Sequence, residues 1–228
     1  MFERLIPRNR KKKGDPTDGI SEALSEFYSK NECVIDPDAL ENMPGPEVDG
    51  NIESKHTILL MDDQEVVFYL FEFDFKEIKR RFDYDVLENY KIVKCGGPDA
   101  GFIAAKYIKE STDEVVIAIL DLTLGKIIKL KDGTSIVHDG VDIALEVISK
   151  QPKCKIGLCT AHMLSESNPI VHSLMKKFNA ATGHNMLDYA FNKNADRAGY
   201  LHNMIMEVNH AEKSGNHEAS WELHKISS

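Results

Sequence analysis

The sequence predicts an α/β fold, a doubly wound parallel sheet of five strands with helices on both faces. Three observations carry this. Short apolar runs recur along residues 57–192, each bounded by polar residues, as strands buried on both faces require. Segments with helical spacing lie between them, so the order is β-α repeated five times. Each of four runs ends in an acid, a hydroxyl or a lysine: the pair Asp62 and Asp63, then Asp121, Thr160 and Lys193.

The elements follow in chain order. Thr57–Met61 is the first strand, and a long helix follows from Glu65 to about Phe82. Lys91–Lys94 is a second strand, closed by Gly96 and Gly97. Asp99–Lys109 has helical spacing through Phe102, Ile103, Lys106 and Tyr107. Glu114–Leu120 is the strongest strand, with Asp121 at its end. Gly140–Ser149 is an amphipathic helix, and Lys155–Cys159 is a strand ending at Thr160. Asn168–Asn179 is helical, with Pro169 suited to a first turn. Leu187–Asn192 is the last strand, and Ala195 to about Glu207 the last helix. Crossovers in such a sheet are right-handed, and ligands bind beyond the C-terminal strand ends.

Composition excludes several classes. The chain has 228 residues, 42% apolar and 29% charged, with a net charge of −9. The acidic balance argues against a general nucleic-acid binder. No apolar run approaches the roughly 20 residues of a membrane span. The basic start has no apolar stretch after it, unlike a secretory signal. Four cysteines (Cys33, Cys95, Cys154, Cys159) lack CxxC spacing, so a reduced, cytoplasmic chain is the economical expectation.

Three regions are expected: an N-terminal extension over 1–54, the α/β domain over 55–208 and a C-terminal tail over 209–228. Five of eight prolines fall in the extension, which reads as largely irregular with one short helix near Ser21–Lys30. The basic cluster Arg8–Lys13 reads as a solvated tail. Lys126–Leu130 and Ser135–His138 flank Asp132 and Gly133 and predict a β-hairpin inserted after the third strand. It is expected to supply a docking or dimer surface, together with the long segment between Thr160 and Lys193. His138, His162, His172 and His184 lie on different elements, so surface positions are expected. His162 is close enough to Thr160 to influence that strand end. His210, His217 and His224 recur every seven residues in the tail, where Trp221 and Leu223 offer a small handle. Phe68, Tyr69, Phe71, Phe73, Phe75 and Phe82 cannot all face one way on a helix.

The strand-end residues suit phosphoryl transfer to a carboxylate. Clustered carboxylates recruit a hard divalent cation such as Mg²⁺. A carboxylate can act as nucleophile, a lysine can neutralise a phosphoryl oxygen, and a hydroxyl can hydrogen-bond one. The runs ILLMDDQ (58–64), VVIAILDLTLG (115–125), GLCTAH (157–162) and YAFNKN (189–194) resemble the receiver domain of two-component response regulators over about residues 55–208. That resemblance implies a flavodoxin-like strand order of 2-1-3-4-5. It implies Asp121 as the phospho-acceptor, with Mg²⁺ held by Asp63, Asp121 and the Thr123 backbone carbonyl, and by Asp62 through water. Thr160 would be the switch hydroxyl, with Ala161 leaving its approach open, and Lys193 the phosphate-binding lysine. The implied partners are a histidine kinase or histidine phosphotransfer protein and an unknown downstream protein, with a homodimer possible in this class.

The chain departs from the family pattern at Asn194, where a proline is usual, and at Ala190, where an aromatic is usual. Two alternatives stand beside this reading: a degenerate receiver acting as a phosphate-independent scaffold, and a haloacid-dehalogenase-like phosphatase. The latter family uses a DxD nucleophile motif, which Asp121–Thr123 lacks, and carries its carboxylate pair last rather than first. The chain is therefore expected to be a signalling module rather than an enzyme acting on external substrates.

Overall fold

A computed structural model describes residues 32–34, 43–123, 127–129, 135–136, 139–161, 168–193 and 195–214. Within them, strands β1 (Glu32–Val34), β2 (Glu47–Gly50) and β3 (His56–Asp62) lead into helices α1 (Val66–Phe82) and α2 (Val86–Asn89). Then come β4 (Lys91–Gly96), α3 (Ala100–Glu110), β5 (Glu114–Asp121), β6 (Ile127–Lys129), β7 (Ser135–Ile136) and α4 (Gly140–Lys150). The chain continues through β8 (Lys155–Thr160), α5 (Pro169–Thr182), a 3₁₀ turn (Met186–Asp188), β9 (Ala190–Asn192) and α6 (Arg197–Ser214).

The main sheet is mostly parallel and has six strands, in the order β2-β4-β3-β5-β8-β9. The expectation of five strands is thus corrected. The sixth is β2, which lies antiparallel on β4, with Glu47 opposite Lys94 and Gly50 opposite Lys91. It falls within the stretch expected to be irregular, because its four residues carry two acids and no apolar alternation strong enough to mark a strand. Gly50 ends it at φ 70°, and a Cβ there would meet the Tyr90 carbonyl oxygen at 2.5 Å.

Two cores flank the sheet. Strand residues alternate between them: Leu59 and Met61 pack with Val93, Ile103, Ala144, Leu158 and Phe178, and Ile58 and Leu60 pack with Phe71, Phe75, Ile78, Leu201 and Ile205. Helices α3, α4 and α5 therefore cover one face, and α1 and α6 the other. The helix ends are set by local chemistry. Asp139 caps α4 by accepting from the Asp142 amide at 2.8 Å. Asn168 caps α5, Pro169 opens it, and Gly183 closes it at φ 73°.

The aromatic-rich helix α1 divides as its spacing demands. Phe68, Phe71 and Phe75 are buried, whereas Tyr69 and Phe73 are exposed. The last strand is shorter than expected, three residues instead of six. Asn185 accepts from the Leu187 amide at 3.2 Å and turns 186–188 into a 3₁₀ turn before the strand starts. The last helix runs past 208 to Ser214, so the tail expected from 209 begins as helix.

The inserted β-hairpin is present as β6 and β7, antiparallel, with Ile128 opposite Ile136. A feature beyond the hairpin is β1, which pairs in parallel with β6 to complete a three-stranded sheet. The helix expected at 21–30, the basic cluster, His138, His162, Asn194, His217, Trp221, Leu223 and His224 lie outside the described residues. Among the described residues, Cys95, Cys154 and Cys159 are buried free thiols, and no helix is long and apolar enough to cross a membrane.

Candidate functional site

Four neighbouring parallel strands, β3, β5, β8 and β9, bring the site together at their C-terminal ends. In the register of β5 with β8, Asp121 stands opposite Cys159, and in that of β8 with β9, Thr160 stands opposite Asn192. Strand β3 ends at Asp62, beside β5. All four chain segments singled out by the sequence therefore converge.

Asp62 is 2% exposed. One of its oxygens accepts from the Gln64 amide at 3.0 Å, which turns the chain into α1 and leaves the other oxygen for Lys193 at 2.7 Å. Asp121 is 3% exposed, and its Oδ2 lies 3.4 Å from the Lys193 ammonium. Its Oδ1 accepts from the Thr123 amide at 3.5 Å. Asp63 is partly exposed, and carboxylate oxygens of Asp62, Asp63 and Asp121 lie within 4.8 Å of one another.

Burial dominates the electrostatics. It pushes Asp121 up to about 7, aided by the charge of Asp62 and opposed by that of Lys193. Burial also raises Asp62, against the hydrogen bond and charge of Lys193. For Lys193 burial works against the charge, but Asp121 and Asp62 outweigh it and hold the ammonium above its ordinary range. The Cys159 thiol is pushed up to about 12 by burial, so it is an inert neighbour.

Thr160 is fully buried at the end of β8, and its carbonyl accepts from the Lys193 amide at 2.8 Å. Gly140 brings α4 against the backbone of Asp121. Its amide donates to the Leu122 carbonyl at 3.4 Å, and a Cβ at this position would lie 2.2 Å from the Asp121 carbonyl oxygen. No side chain larger than hydrogen fits there without moving β5 or α4.

The donor set fits a small hard cation. Three carboxylates against one ammonium leave a formal charge of −2 in a mostly buried pocket, which a divalent ion with oxygen preference would neutralise. Asp62, Asp63 and Asp121 are the residues able to hold it.

Two groups of residues near the site were not singled out by the sequence. Lys177 of α5 bonds Asp139 at 3.2 Å and Asp142 at 2.6 Å, pinning the start of α4. Arg197 of α6 pairs with Asp74 of α1 at 2.7 Å. The second pair did leave a signal: Asp74 falls in spacing with Phe71, Phe75 and Ile78, and an acid on an apolar helix face demands a cation. His172 and His184 are not at the site.

No protein-family model matches this chain, and no curated protein matches it. Solved structures that resemble it include a CheY-like response regulator receiver domain from Methanospirillum hungatei JF-1. It is 12% identical, with a TM-score of 0.43 over 71% of this chain and 99% of that one. A LuxR-family two-component response regulator from Aurantimonas sp. SI85-9A1 is 19% identical, with a TM-score of 0.39 over 68% and 85%. A fusion protein bearing a yeast Spc42 trimeric coiled-coil segment is 15% identical, with a TM-score of 0.43 over 72% and 83%.

Proposed function

We propose that this chain is a phospho-accepting receiver module in which Asp121 is the acceptor. One observation carries the reading: the Asp62, Asp63 and Asp121 carboxylates cluster with the Lys193 ammonium at the C-terminal ends of adjacent parallel strands. What supports the reading is burial: Asp62 and Asp121, the two acids paired with Lys193, are themselves 2% and 3% exposed, so carboxylates and ammonium are held out of water together.

In the proposed reaction an Asp121 carboxylate oxygen attacks phosphorus. The bond from phosphorus to its leaving group breaks, and that group departs with the electron pair. With a histidine kinase or phosphotransfer protein as donor, the leaving group is an imidazole nitrogen. The chemistry Mg²⁺ supplies when held by Asp63, Asp121 and the Thr123 carbonyl, with Asp62 through water, is neutralisation of phosphoryl oxygens. Lys193 is ready to neutralise a further oxygen by exchanging its Asp121 contact for the phosphoryl group. Thr160, one strand away, supplies a hydroxyl to register the new group. The output is a shift between two conformations that changes protein–protein contacts, including self-association. No external substrate is turned over, and the module works in the cytoplasm.

The test is incubation with Mg²⁺ and acetyl phosphate, followed by intact mass. The expected result is a gain of one phosphoryl group that Asp121→Asn abolishes. No gain, with partner binding unaffected by Asp121→Asn, would replace this reading with a phosphate-independent scaffold.

A further inference from the structure

Lys193 lies in the short connection between β9 and α6, and a buried ion pair from outside that connection holds its backbone. The Arg197 Nε donates to Asp74 Oδ2 at 2.7 Å, and Nη2 reaches Asp74 Oδ1 at 3.5 Å. The remaining arm of the fork, Nη1, donates to the Lys193 carbonyl oxygen. The guanidinium carbon sits 5.8 Å from the centroid of the Phe71 ring. Both partners are nearly sealed, with side chains 11% and 8% exposed.

The Lys193 peptide is thus gripped on both sides. Its amide donates to Thr160 on β8, and its carbonyl accepts from Arg197. Asp74 belongs to α1, the helix that begins just after Asp62 and Asp63. One guanidinium therefore joins the segment carrying the lysine to the helix that follows the acid pair. A second, exposed bridge runs alongside, from Arg81 of α1 to Asp196 at 3.1 Å.

Stability alone does not call for such a pair. Asp74 occupies a buried face shared with Phe71, Phe75 and Ile78, where apolar residues would do as well or better. A planar fork engaged on two acceptors from different elements fixes orientation, and a lysine in its place could not reach both at once.

Resting on the receiver reading above, we infer that Arg197 and Asp74 are positioning residues for phosphoryl transfer. Asp74 orients the guanidinium, the guanidinium fixes the Lys193 backbone, and the ammonium is thereby aimed at the acceptor carboxylate. Neither residue touches the reacting atoms.

The test compares Arg197→Lys, Asp74→Asn and Lys193→Ala, alone and in pairs, in phosphoryl uptake from acetyl phosphate. Arg197→Lys and Asp74→Asn should each slow uptake by roughly tenfold or more, since small misplacements of a charged group are costly in rate. Half-saturating Mg²⁺ should stay within about twofold, because the carboxylates are untouched. In the Lys193→Ala background neither substitution should slow uptake further, as expected of residues that act through one group. Equal slowing in both backgrounds, or wild-type rates, would overturn the inference.

A phosphate-free measurement separates this from failure of the receiver reading itself. Reaction of Lys193 with an amine reagent, followed by peptide mass, should rise about tenfold in both variants if the ammonium is released from its carboxylates. Lys94, equally buried beside α1, should not change. No rise at Lys193, or a joint rise at both lysines, would overturn the positioning role even if Asp121 accepts phosphate. If the wild type takes up no phosphoryl group, the receiver reading falls while this result still decides what holds Lys193.

Discussion

Two lysines in this molecule each face a group of carboxylates, and the groups differ in which partner is buried. At the strand ends, Lys193 meets Asp62 and Asp121, and all three side chains are at most 10% exposed. At the sheet edge, Lys94 is 5% exposed, but its partners Glu47, Asp49 and Glu72 reach water, at 70%, 47% and 36% exposure. Water solvates the acids at the edge, so the cluster is a fastener that holds β2 and α1 to β4. Acids sealed from water are anions under tension, and the same residue types become a site that favours an incoming cation. Burial of the carboxylates, rather than the presence of lysine, separates chemistry from adhesion.

The sharpest way to break this comparison is to remove each lysine in turn. Lys193→Met should slow phosphoryl uptake by on the order of a hundredfold, as loss of one preorganised donor does. Lys94→Met should leave uptake within about twofold. Equal losses would mean that the two clusters do the same job.

Stability against pH separates them next. The folded-state pKa of Asp121, about 7, stands above the roughly 3.9 of an unfolded aspartate. A raised acid contributes stability below the unfolded value and loses it as pH rises through the folded one. Without Mg²⁺, Asp121→Asn should therefore stabilise the protein at pH 8 by on the order of 2–4 kcal/mol, and the gain should vanish near pH 4. Denaturant unfolding at the two pH values measures it. A destabilised Asn variant at pH 8 would contradict the account of the site.

Mg²⁺ should reverse that penalty. At a concentration about a hundred times its dissociation constant, the ion should add about 2.7 kcal/mol, and Asp63→Asn should lose most of this. Thermal unfolding with and without the ion reads both. The smallest effect belongs to the edge. Lys94→Met should cost about 1 kcal/mol, because its carboxylates can turn to solvent once the cation is gone. A cost several times larger would show that the edge cluster is sealed after all.

Much of the site was legible in the sequence because its information is local. Runs such as 58–61 and 115–120 are apolar throughout, so the first charged residue after each marks a strand end, and parallel strands bring those ends together. What was not legible depends on distant partners. Strand β2 reads as an acidic linker because its ion-pair partner, Lys94, comes 47 positions after Glu47. Arg197 looks like an ordinary helix start until Asp74, 123 positions earlier, is found beside it. The brevity of β9 has a local cause, the Asn185 side chain, but it competes with an apolar pattern that alone favours a longer strand.

Strand β2 has one more consequence, for behaviour at high protein concentration. A sheet edge with free amides and carbonyls is a template for a strand from another molecule. Here β2 lies along the β4 flank, faced with acids, and the opposite flank ends in a strand of only three residues. Trimming the chain to begin after Gly50 would uncover the β4 ladder over residues 91–94. A truncated protein that keeps the whole carboxylate–lysine cluster would then be the one that clouds and precipitates as it is concentrated.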